Sequence, residues 1–430
     1  MSETRNIVFL GDSYAGISAT HYFLKHVYPH LPTSPTVKYK VVLINDSPKW
    51  FLRHASPRAI ASADLMPNEK IFLDIEPGFA QYGDKVQFVV GKATSWDPEK
   101  RVVIISSPAD SSGSSKELPI SYHALVLATG SKSASPLWSS QGNGHEEIEA
   151  ALADANAQVK RAKSIVIAGG GPAGVETAGE IAEYLNGSPG WFQTKPANPK
   201  AQITLLTSSD KLLPRLRPAI AKQAERDLSR LGVEVKYNIK VLESSTIADE
   251  SKPTATTTKL TLSNNTTLNT DLYLPALGST PLTSYIPSHL LDPTTSLLLT
   301  TQSTLRVTPA ACPLTYALGD ITSFTRGSIL EIIAQVPVLA SNMQRDLLAA
   351  HENGFGAKPQ GKDRIYEPEL RELQVVPVGR RGGVGAAWGW RVPSWVVWLV
   401  KGRDYMVAGG VDRVFGRADE KEVRWVGEGA

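Results

Sequence analysis

Two glycine-rich turns, about 158 residues apart, have the residue types and spacing of phosphate-binding loops. They are Gly11-Asp12-Ser13-Tyr14-Ala15-Gly16 and Gly169-Gly170-Gly171-Pro172-Ala173-Gly174. Glycines permit the tight bend, let backbone N–H groups approach a pyrophosphate and let helix and strand pack closely. The positions that matter are Gly11, Ser13 in place of a middle glycine, Gly16, Gly169, Gly171 and Gly174. The pair of turns predicts two dinucleotide sites.

Each turn lies between a strand and a helix, which is the context in which such loops bind dinucleotides. Asn6–Leu10 and Ser164–Ala168 are short apolar segments typical of buried strands. The sequence therefore predicts an α/β fold with two Rossmann-like domains, the second inserted in the first, and a small C-terminal region. The predicted domains are residues 1–160 with 276–350, residues 161–275, and residues 351–430.

The first domain contains a second predicted strand, Tyr39–Ile44, which ends at Asn45 and Asp46. A side chain at this strand end reaches the adenosine ribose in Rossmann folds. Asn45 is a weaker acceptor than the usual acid, and Asp46 is the possible substitute. Further strands are predicted at Val86–Val90, Arg101–Ile105 and Tyr122–Ser131, with an exposed loop at Ser106–Ser115.

In the second domain, the predicted strand Ile203–Leu206 ends in Thr207-Ser208-Ser209, without an acid. A carboxylate there would repel the 2'-phosphate of NADPH, so its absence, with Lys211 and Arg215 downstream, leaves NADPH acceptable. A solvated helix face is the alternative interpretation of these two cations. Thr254–Thr270 alternates in polarity and is predicted to be an exposed hairpin.

The composition excludes several classes of function. The net charge of +3 gives no general field for nucleic acid, and the eight histidines lack metal-ligand spacing. Cys312 is the single cysteine, which excludes an internal disulfide and a Cys-x-x-Cys pair and fits a reducing compartment. We expect a cytoplasmic protein without a cleaved signal, because a strand begins by Asn6 and no 18-residue apolar run occurs.

The order of the motifs is specific. A glycine turn is followed by Ala128-Thr129-Gly130, by the second turn with Glu176, and by Ala317-Leu318-Gly319-Asp320. Over roughly Asn6 to Arg345 this order resembles the two-dinucleotide-binding flavoprotein superfamily of pyridine nucleotide oxidoreductases. The tail segments 379–385 and 401–404, Gly-Arg-Arg-Gly-Gly-Val-Gly and Lys-Gly-Arg-Asp, resemble the AMID-like group, which includes ferroptosis suppressor protein. That group is related to apoptosis-inducing factor and alternative NADH dehydrogenases.

The resemblance implies that FAD binds across the first turn and NAD(P)H at the second. The implied FAD contacts are Gly11, Ser13, Gly16, Asn45, Arg58, Ala93, Thr129, Gly130, Gly319 and Asp320, and the implied NAD(P)H contacts are Gly169, Gly171 and Gly174. Arg58 would pair with a flavin-side phosphate, and its alternative is a surface arginine. Ala334 and Gln335 resemble the segment beside the pyrimidine end of the flavin, so they are candidates for the acceptor pocket.

Glu176 and Lys401 are the catalytic residues that the resemblance implies. Glu176 matches a glutamate near the nicotinamide, and Lys401 matches a lysine near the isoalloxazine, where a cation favours the anionic reduced flavin. An exposed helix carboxylate and a snorkelling surface lysine are the alternative interpretations.

Without a cysteine pair, the flavin must deliver electrons directly to a bound acceptor. The predicted function is hydride transfer from NAD(P)H to FAD followed by reduction of a quinone, with the protein aligning the rings. Two alternatives are a flavoprotein tailoring enzyme that acts on a small metabolite and an apoptosis-inducing-factor-like signalling protein. The nearly balanced charge argues against nucleic-acid binding in the latter.

The C-terminal region suggests where the acceptor comes from. It contains an apolar, basic segment with four tryptophans, Trp388, Trp390, Trp395 and Trp398. Tryptophan and arginine together suit a peripheral contact with a membrane, such as the mitochondrial outer surface, or with a lipid droplet, from which a lipophilic quinone could enter. Core packing or a homodimer contact is the alternative.

Overall fold

The chain forms 22 β-strands and ten α-helices over the residues that the structure describes. This computed structural model describes residues 3–11, 13–108, 115–140, 142, 144–190, 192–248, 256–308 and 313–423. The strands are β1 (Glu3–Leu10), β2 (Val37–Asn45), β3 (Lys49–Phe51), β4 (Phe72–Asp74), β5 (Val86–Val90), β6 (Lys92–Asp97), β7 (Val102–Ser106), β8 (Glu117–Ser121), β9 (Ala124–Leu127), β10 (Ser131–Ser133), β11 (Ser164–Ala168), β12 (Gln202–Leu206), β13 (Val233–Lys236), β14 (Val241–Ala248), β15 (Thr256–Leu262), β16 (Thr267–Thr270), β17 (Leu272–Pro275), β18 (Ser279–Pro281), β19 (Thr315–Ala317), β20 (Gln374–Pro377), β21 (Gly383–Ala387) and β22 (Trp390–Arg391).

The α-helices position the residues between these strands. They are α1 (Tyr14–His26), α2 (Ser56–Ala61), α3 (Asn68–Ile71), α4 (Glu76–Phe79), α5 (His145–Arg161), α6 (Pro172–Asn186), α7 (Pro218–Arg230), α8 (Ile329–Asn353), α9 (Ser394–Val397) and α10 (Val407–Val414). A π-helical turn at Trp398–Gly402 continues α9. None of the helices in the described part of the chain is long and apolar enough to span a bilayer.

A five-stranded parallel sheet organises the first unit, in the order β19-β9-β1-β2-β5. In register, Val8 of β1 lies between Val42 of β2 and Leu125 of β9. The last four residues of β1 and all of β9 are buried, because a parallel sheet is covered on both faces. Strand β19 returns to this sheet after the second unit and pairs with β9.

The second unit contains a four-stranded parallel sheet, in the order β13-β12-β11-β17. Beside it, β14, β15 and β16 form an antiparallel sheet. The C-terminal segment adds the small antiparallel sheet β20-β21-β22, and helix α6 packs against β20. The fold class predicted from the sequence is confirmed: parallel sheets with crossover helices form both units.

Most strand predictions are confirmed to within a few residues. The hairpin predicted at Thr254–Thr270 is β15 with β16, although residues 254 and 255 lie outside the described part. The predicted loop at Ser106–Ser115 falls largely on residues 109–114, also outside it. Strands β6 and β14 were not predicted, because their mixed polar sequences lack a clear alternation.

Helix α5 is joined to α2 by the buried side chain of Asn156. Its Nδ2 donates to the carbonyl oxygens of Ala59 and Ile60 at 2.7 and 2.9 Å, and its Oδ1 accepts from the N–H of Ala63 at 2.7 Å. Carbonyls at the end of a helix have no partner within the helix. Asn156 therefore fixes the end of α2, the helix that contains Arg58.

Replacing Asn156 with alanine would leave these backbone groups buried without partners. We expect N156A to lower the free energy of unfolding by about 2–4 kcal/mol, measured by urea denaturation. The control is Q158A, because the hydrogen bond of Gln158 to Asp154 lies on the exposed side of α5. The control should change stability by at most about 0.5 kcal/mol. Equal stability of N156A and the parent chain would contradict this role.

Candidate functional site

A single cleft of about 490 Å³ is lined by residues of both units and of the C-terminal segment. Parallel strands of an α/β sheet place the residues that follow them at one edge, where ligands bind. The cleft brings together nine of the residues predicted from the sequence, namely Gly11, Ser13, Asn45, Ala93, Thr129, Gly130, Glu176, Asp320 and Lys401.

The first residue of each glycine turn can only be glycine. Gly11 has a φ of 102° and Gly169 a φ of 133°, a backbone conformation that residues with a side chain rarely adopt. A Cβ on Gly11 would lie 2.5 Å from the carbonyl oxygen of Ala128, and one on Gly169 would lie 2.1 Å from that of Ala276. Each turn therefore passes directly against the neighbouring strand end.

The second glycine turn has an open face at Gly171. Gly16 and Gly174 pack on the carbonyls of Gly11 and Gly169, whereas a Cβ on Gly171 would meet nothing within 4 Å. Helices α1 and α6 begin within these turns, at Tyr14 and Pro172, without a side-chain cap hydrogen bond. Their first N–H groups are thus left for another acceptor, and a helix N-terminus favours an anion. Asp12 lies outside the described residues.

Two adjacent side chains lie at the end of β2, where the ribose contact was predicted. Asn45 donates from Nδ2 to the carbonyl oxygen of Ser47 at 2.9 Å. Asp46 accepts from Ser140 Oγ at 3.1 Å, and burial raises the pKa of its carboxyl. Both residues line the cleft, as does Ala93 on strand β6.

Asp320 accepts two hydrogen bonds at the edge of the cleft. Arg53 donates to its Oδ2 at 2.8 Å, and Ser131 Oγ donates to the same atom at 3.0 Å. The Arg53 side chain is 47% exposed and lines the cleft, although no sequence motif singles it out. Thr129, at the end of β9, donates to the carbonyl oxygen of Leu282 at 3.0 Å.

The prediction that Arg58 pairs with a flavin-side phosphate is wrong in this structure. Arg58 is buried and does not line the cleft. Its Nε and one terminal nitrogen donate to the carboxylate of Glu180 at 3.1 and 2.8 Å, and it also donates to two backbone carbonyls. All its nitrogens thus have protein partners, so Arg53 is the arginine available to a ligand.

Ala334 and Gln335 also lie outside the cleft. Ala334 is exposed on α8. Gln335 is buried, and its Oε1 accepts from the N–H of Gly319 at 3.0 Å, so it supports the turn that carries Asp320. The residues of α8 that line the cleft are instead Ile329 and Ile332.

Glu176 and Lys401 form a buried ion pair in the wall of the cleft. Lys401 Nζ lies 2.6 Å from Glu176 Oε1, and the two side chains are 13% and 3% exposed. Burial raises the pKa of Glu176 to about 7, although the nearby ammonium of Lys401 acts in the opposite direction. The structure excludes an exposed carboxylate for Glu176 and a solvated surface lysine for Lys401.

Glu176 is the first of three buried glutamates on α6, which we call the carboxylate row: Glu176, Glu180 and Glu183. Their spacing of four and three residues places them on one helix face. Lys401 pairs with the first and Arg58 with the second, while the third accepts from the N–H of Arg380 and from Ser188 Oγ. The spacing of these three glutamates in an otherwise apolar helix is a sequence signal for a row of buried carboxylates, which the motifs alone do not reveal.

His54 and Tyr14 are two further cleft residues that the sequence did not reveal. Tyr14 Oη lies 3.4 Å from both ring nitrogens of His54. Burial, together with the cations Lys401 and Arg53, lowers the pKa of His54 to about 3, so the ring is neutral at pH 7. No group of three potential metal-ligating side chains occurs over the described ranges.

The two cations considered for NADPH make contacts with backbone carbonyls. Lys211 Nζ donates to the carbonyl oxygen of Leu216 at 2.7 Å, and Arg215 donates to that of Arg326. Neither contact places a free cation at Ser208 and Ser209, which follow β12. That NADPH is acceptable therefore stays a prediction.

Comparison with known proteins agrees with this architecture. The family model described as pyridine nucleotide-disulphide oxidoreductase matches residues 5–346. The chain is 43% identical over 404 residues to oxidoreductase phnG of Penicillium herquei, covering 93% of this chain and 94% of that protein. It is 26% identical over 352 residues to an external alternative NAD(P)H-ubiquinone oxidoreductase of Arabidopsis thaliana, covering 77% and 57%.

A solved structure shows the same fold. The sulfide:quinone oxidoreductase of Aquifex aeolicus superposes with a TM-score of 0.68 at 15% identity, covering 96% of this chain and 92% of that one. At this identity the similarity concerns the arrangement of helices and strands.

The raised pKa of Glu176 predicts a specific dependence of stability on pH. Its folded pKa of about 7 exceeds the ordinary value of 4.5, so the folded chain binds this proton more tightly. The resulting stabilisation is complete below the unfolded pKa and is lost as the pH rises through about 7. The melting temperature of E176Q minus that of the parent chain should therefore increase as the pH rises from about 5 to about 8. A difference that does not change with pH, measured by scanning fluorimetry, would contradict the raised pKa.

Proposed function

We propose that this chain, which belongs to the pyridine nucleotide-disulphide oxidoreductase family, is an FAD-dependent NAD(P)H oxidoreductase that delivers electrons directly to a quinone-type acceptor. FAD and NAD(P)H are the cofactors of this family, and bound FAD accepts a hydride from the nicotinamide and supplies two electrons to an acceptor. The observation that carries the proposal is the single cleft that both glycine turns and Lys401 border.

The absence of a second cysteine from the sequence supports direct transfer. A redox disulfide needs two cysteines, and this sequence has one, Cys312. The acceptor must therefore reach the same cleft as the cofactors. Apolar side chains suited to a lipophilic ring line part of it, including Leu277, Leu282, Ile329 and Ile332.

The chain's own residues would bind and orient the cofactors. The first turn, with Arg53 and Asp320, would hold FAD, and the open face at Gly171 would receive the pyrophosphate of NAD(P)H. Lys401 would place a positive charge beside the reacting rings, where it favours the anionic reduced form. Glu176, whose pKa burial raises to about 7, would take up and release a proton near neutral pH.

Two kinds of acceptor are consistent with this cleft. The quinone class is supported by the apolar lining and by the relative named for ubiquinone reduction. A small metabolite is the second candidate, which would make the chain a tailoring enzyme. It is favoured because the relative at 43% identity, named only as an oxidoreductase, matches over nearly its whole length.

The tail elements that contain Gly379 and Lys401 support placement in the AMID-like group.

The exposed surface of the C-terminal segment supports delivery of the acceptor from a lipid surface. Trp390 and Trp395 are 81% and 65% exposed, and Leu399 and Val400 are also exposed. Exposed arginines flank them, namely Arg380, Arg381, Arg391 and Arg403. Large apolar side chains beside cations fit an anionic membrane or lipid-droplet surface. Because Lys401 directly follows Val400, this surface lies next to the cleft wall.

The main test is an anaerobic spectral titration of the FAD-loaded protein. We expect NADH or NADPH to bleach the flavin absorbance and a short-chain ubiquinone to restore it. The variant G171E tests the second turn. Its new side chain enters space that no protein atom occupies within 4 Å of the Cβ. It should keep the flavin spectrum and melting temperature but raise the KM for NAD(P)H at least about 10-fold.

The outcomes of this titration separate the candidates. Bleaching without recovery on quinone addition would contradict the quinone proposal and favour a metabolite acceptor. A chain that binds no FAD after reconstitution would contradict the whole proposal. If G171E has the same KM for NAD(P)H as the parent chain, this result would contradict the placement of NAD(P)H at the second turn.

A flotation assay tests the proposed lipid contact. The parent chain should float with vesicles of phosphatidylcholine and phosphatidylserine, and a W390S/W395S variant should not. The matched control is F192S, because Phe192 is 96% exposed elsewhere on the surface. Equal flotation of all three proteins, or none in the parent chain, would contradict the contact. Loss of a dimer in W390S/W395S, measured by sedimentation, would favour the homodimer alternative.

A further inference from the structure

We propose that Arg58 is a positioning residue that fixes the backbone turn carrying Lys401. The proposal rests on the proposed function in one respect, namely that Lys401 acts at the cofactor cleft. Arg58 lies on α2, in the first unit, and Lys401 lies in the C-terminal segment. Hydrogen bonds of the Arg58 guanidinium connect the two parts of the chain.

The guanidinium of Arg58 binds the two residues directly after Lys401. It donates to the carbonyl oxygen of Gly402 at 2.7 Å and to that of Arg403 at 2.9 Å. Its other donors bind Glu180 in a bidentate pair at 2.8 and 3.1 Å. The planar fork of arginine suits this arrangement, in which one side chain bridges a carboxylate and two carbonyls.

The turn that carries Lys401 has an unusual backbone that needs external support. Arg403 N–H donates to the carbonyl oxygen of Trp398 at 2.7 Å, which closes the π-helical turn. Tyr405 and Met406 then have φ values of 55° and 59°, in the left-handed region. Residues with a side chain persist in that region when surrounding contacts hold them there. Single turns of π-helix are frequent at functional sites.

Glu180 attaches the same turn at a third point. Tyr405 is fully buried, and its hydroxyl donates to Glu180 Oε1 at 3.2 Å. The Arg58 guanidinium carbon also lies 4.7 Å from the centre of the Tyr405 ring. Glu180 is one helical turn from Glu176, which binds the Lys401 ammonium. Helix α6 therefore holds both the side chain of Lys401, directly, and its backbone turn, through Arg58.

Chemical labelling of Lys401 tests this role without relying on activity. The FAD-loaded protein is treated with limiting acetic anhydride, and acetylation of Lys401 is followed by mass spectrometry. We expect R58M to increase the rate at Lys401 about fivefold or more, because the turn opens locally. The matched control is R306M, which removes another bidentate arginine, paired with Asp346 and Asp363 away from the turn. R306M should leave the rate at Lys401 unchanged.

Rapid-reaction kinetics supply the second measurement. If Arg58 positions Lys401, R58M should lower the rate of flavin reduction at saturating NAD(P)H about 10-fold or more and leave the KM near its parental value. R58K, which keeps the charge but not the fork, serves if R58M does not fold, and it should show a smaller rise in labelling.

The results separate this proposal from the proposed function. Labelling of Lys401 at the parental rate in a folded R58M or R58K overturns the positioning role. Equal labelling in R58M and R306M overturns it as well, because a general loss of stability would then explain both. Increased labelling in R58M alone, with no flavin reduction in any variant or the parent chain, supports the positioning role and contradicts the proposed function.

Discussion

Helix α6 presents three carboxylates on a face that water does not reach, and the arrangement of the C-terminal segment depends on this constraint. Glu180 is fully buried, and Glu176 and Glu183 are nearly so. An unpaired carboxylate in such a position costs several kcal/mol, roughly, so each requires a cation or N–H donor from elsewhere in the chain. The donors come from α2, from the turn at residues 398–402 and from the segment after β20.

This requirement also explains how one wall of the cleft is formed. Glu176 is the fifth residue of α6 and lies close to the second glycine turn, so its partner Lys401 is held in the wall of the cleft. Glu180 lies deeper and is paired with Arg58, which brings α2 of the first unit against the second unit. The carboxylate row thus joins distant parts of the chain, since Arg58 is 122 residues from Glu180 and Lys401 is 225 residues from Glu176.

The sequence predicted the local elements well because their signals are local. Each glycine turn and each buried strand is encoded in about ten consecutive residues, and those predictions are confirmed. Arg53 precedes α2 and lines the cleft, whereas Arg58 lies within α2 and is buried, and no local sequence pattern encodes this difference. Lys401 and Glu176 are 225 residues apart, and only the resemblance to a family suggested that they belong to one site.

Buried ion pairs are a weak source of stability, because apolar side chains of similar volume often stabilise a fold as well or better. The carboxylate row is therefore better explained by what it places than by how strongly it binds. An apolar α6 could pack on the same C-terminal segment, but it would leave the Lys401 ammonium without a partner in the cleft wall. It would also remove the carboxyl of Glu176, whose pKa burial raises to about 7. A buried charge and a carboxyl that titrates near neutral pH, both next to the glycine turns, are properties that only ionisable side chains supply, and their burial is the cost of fixing them in position.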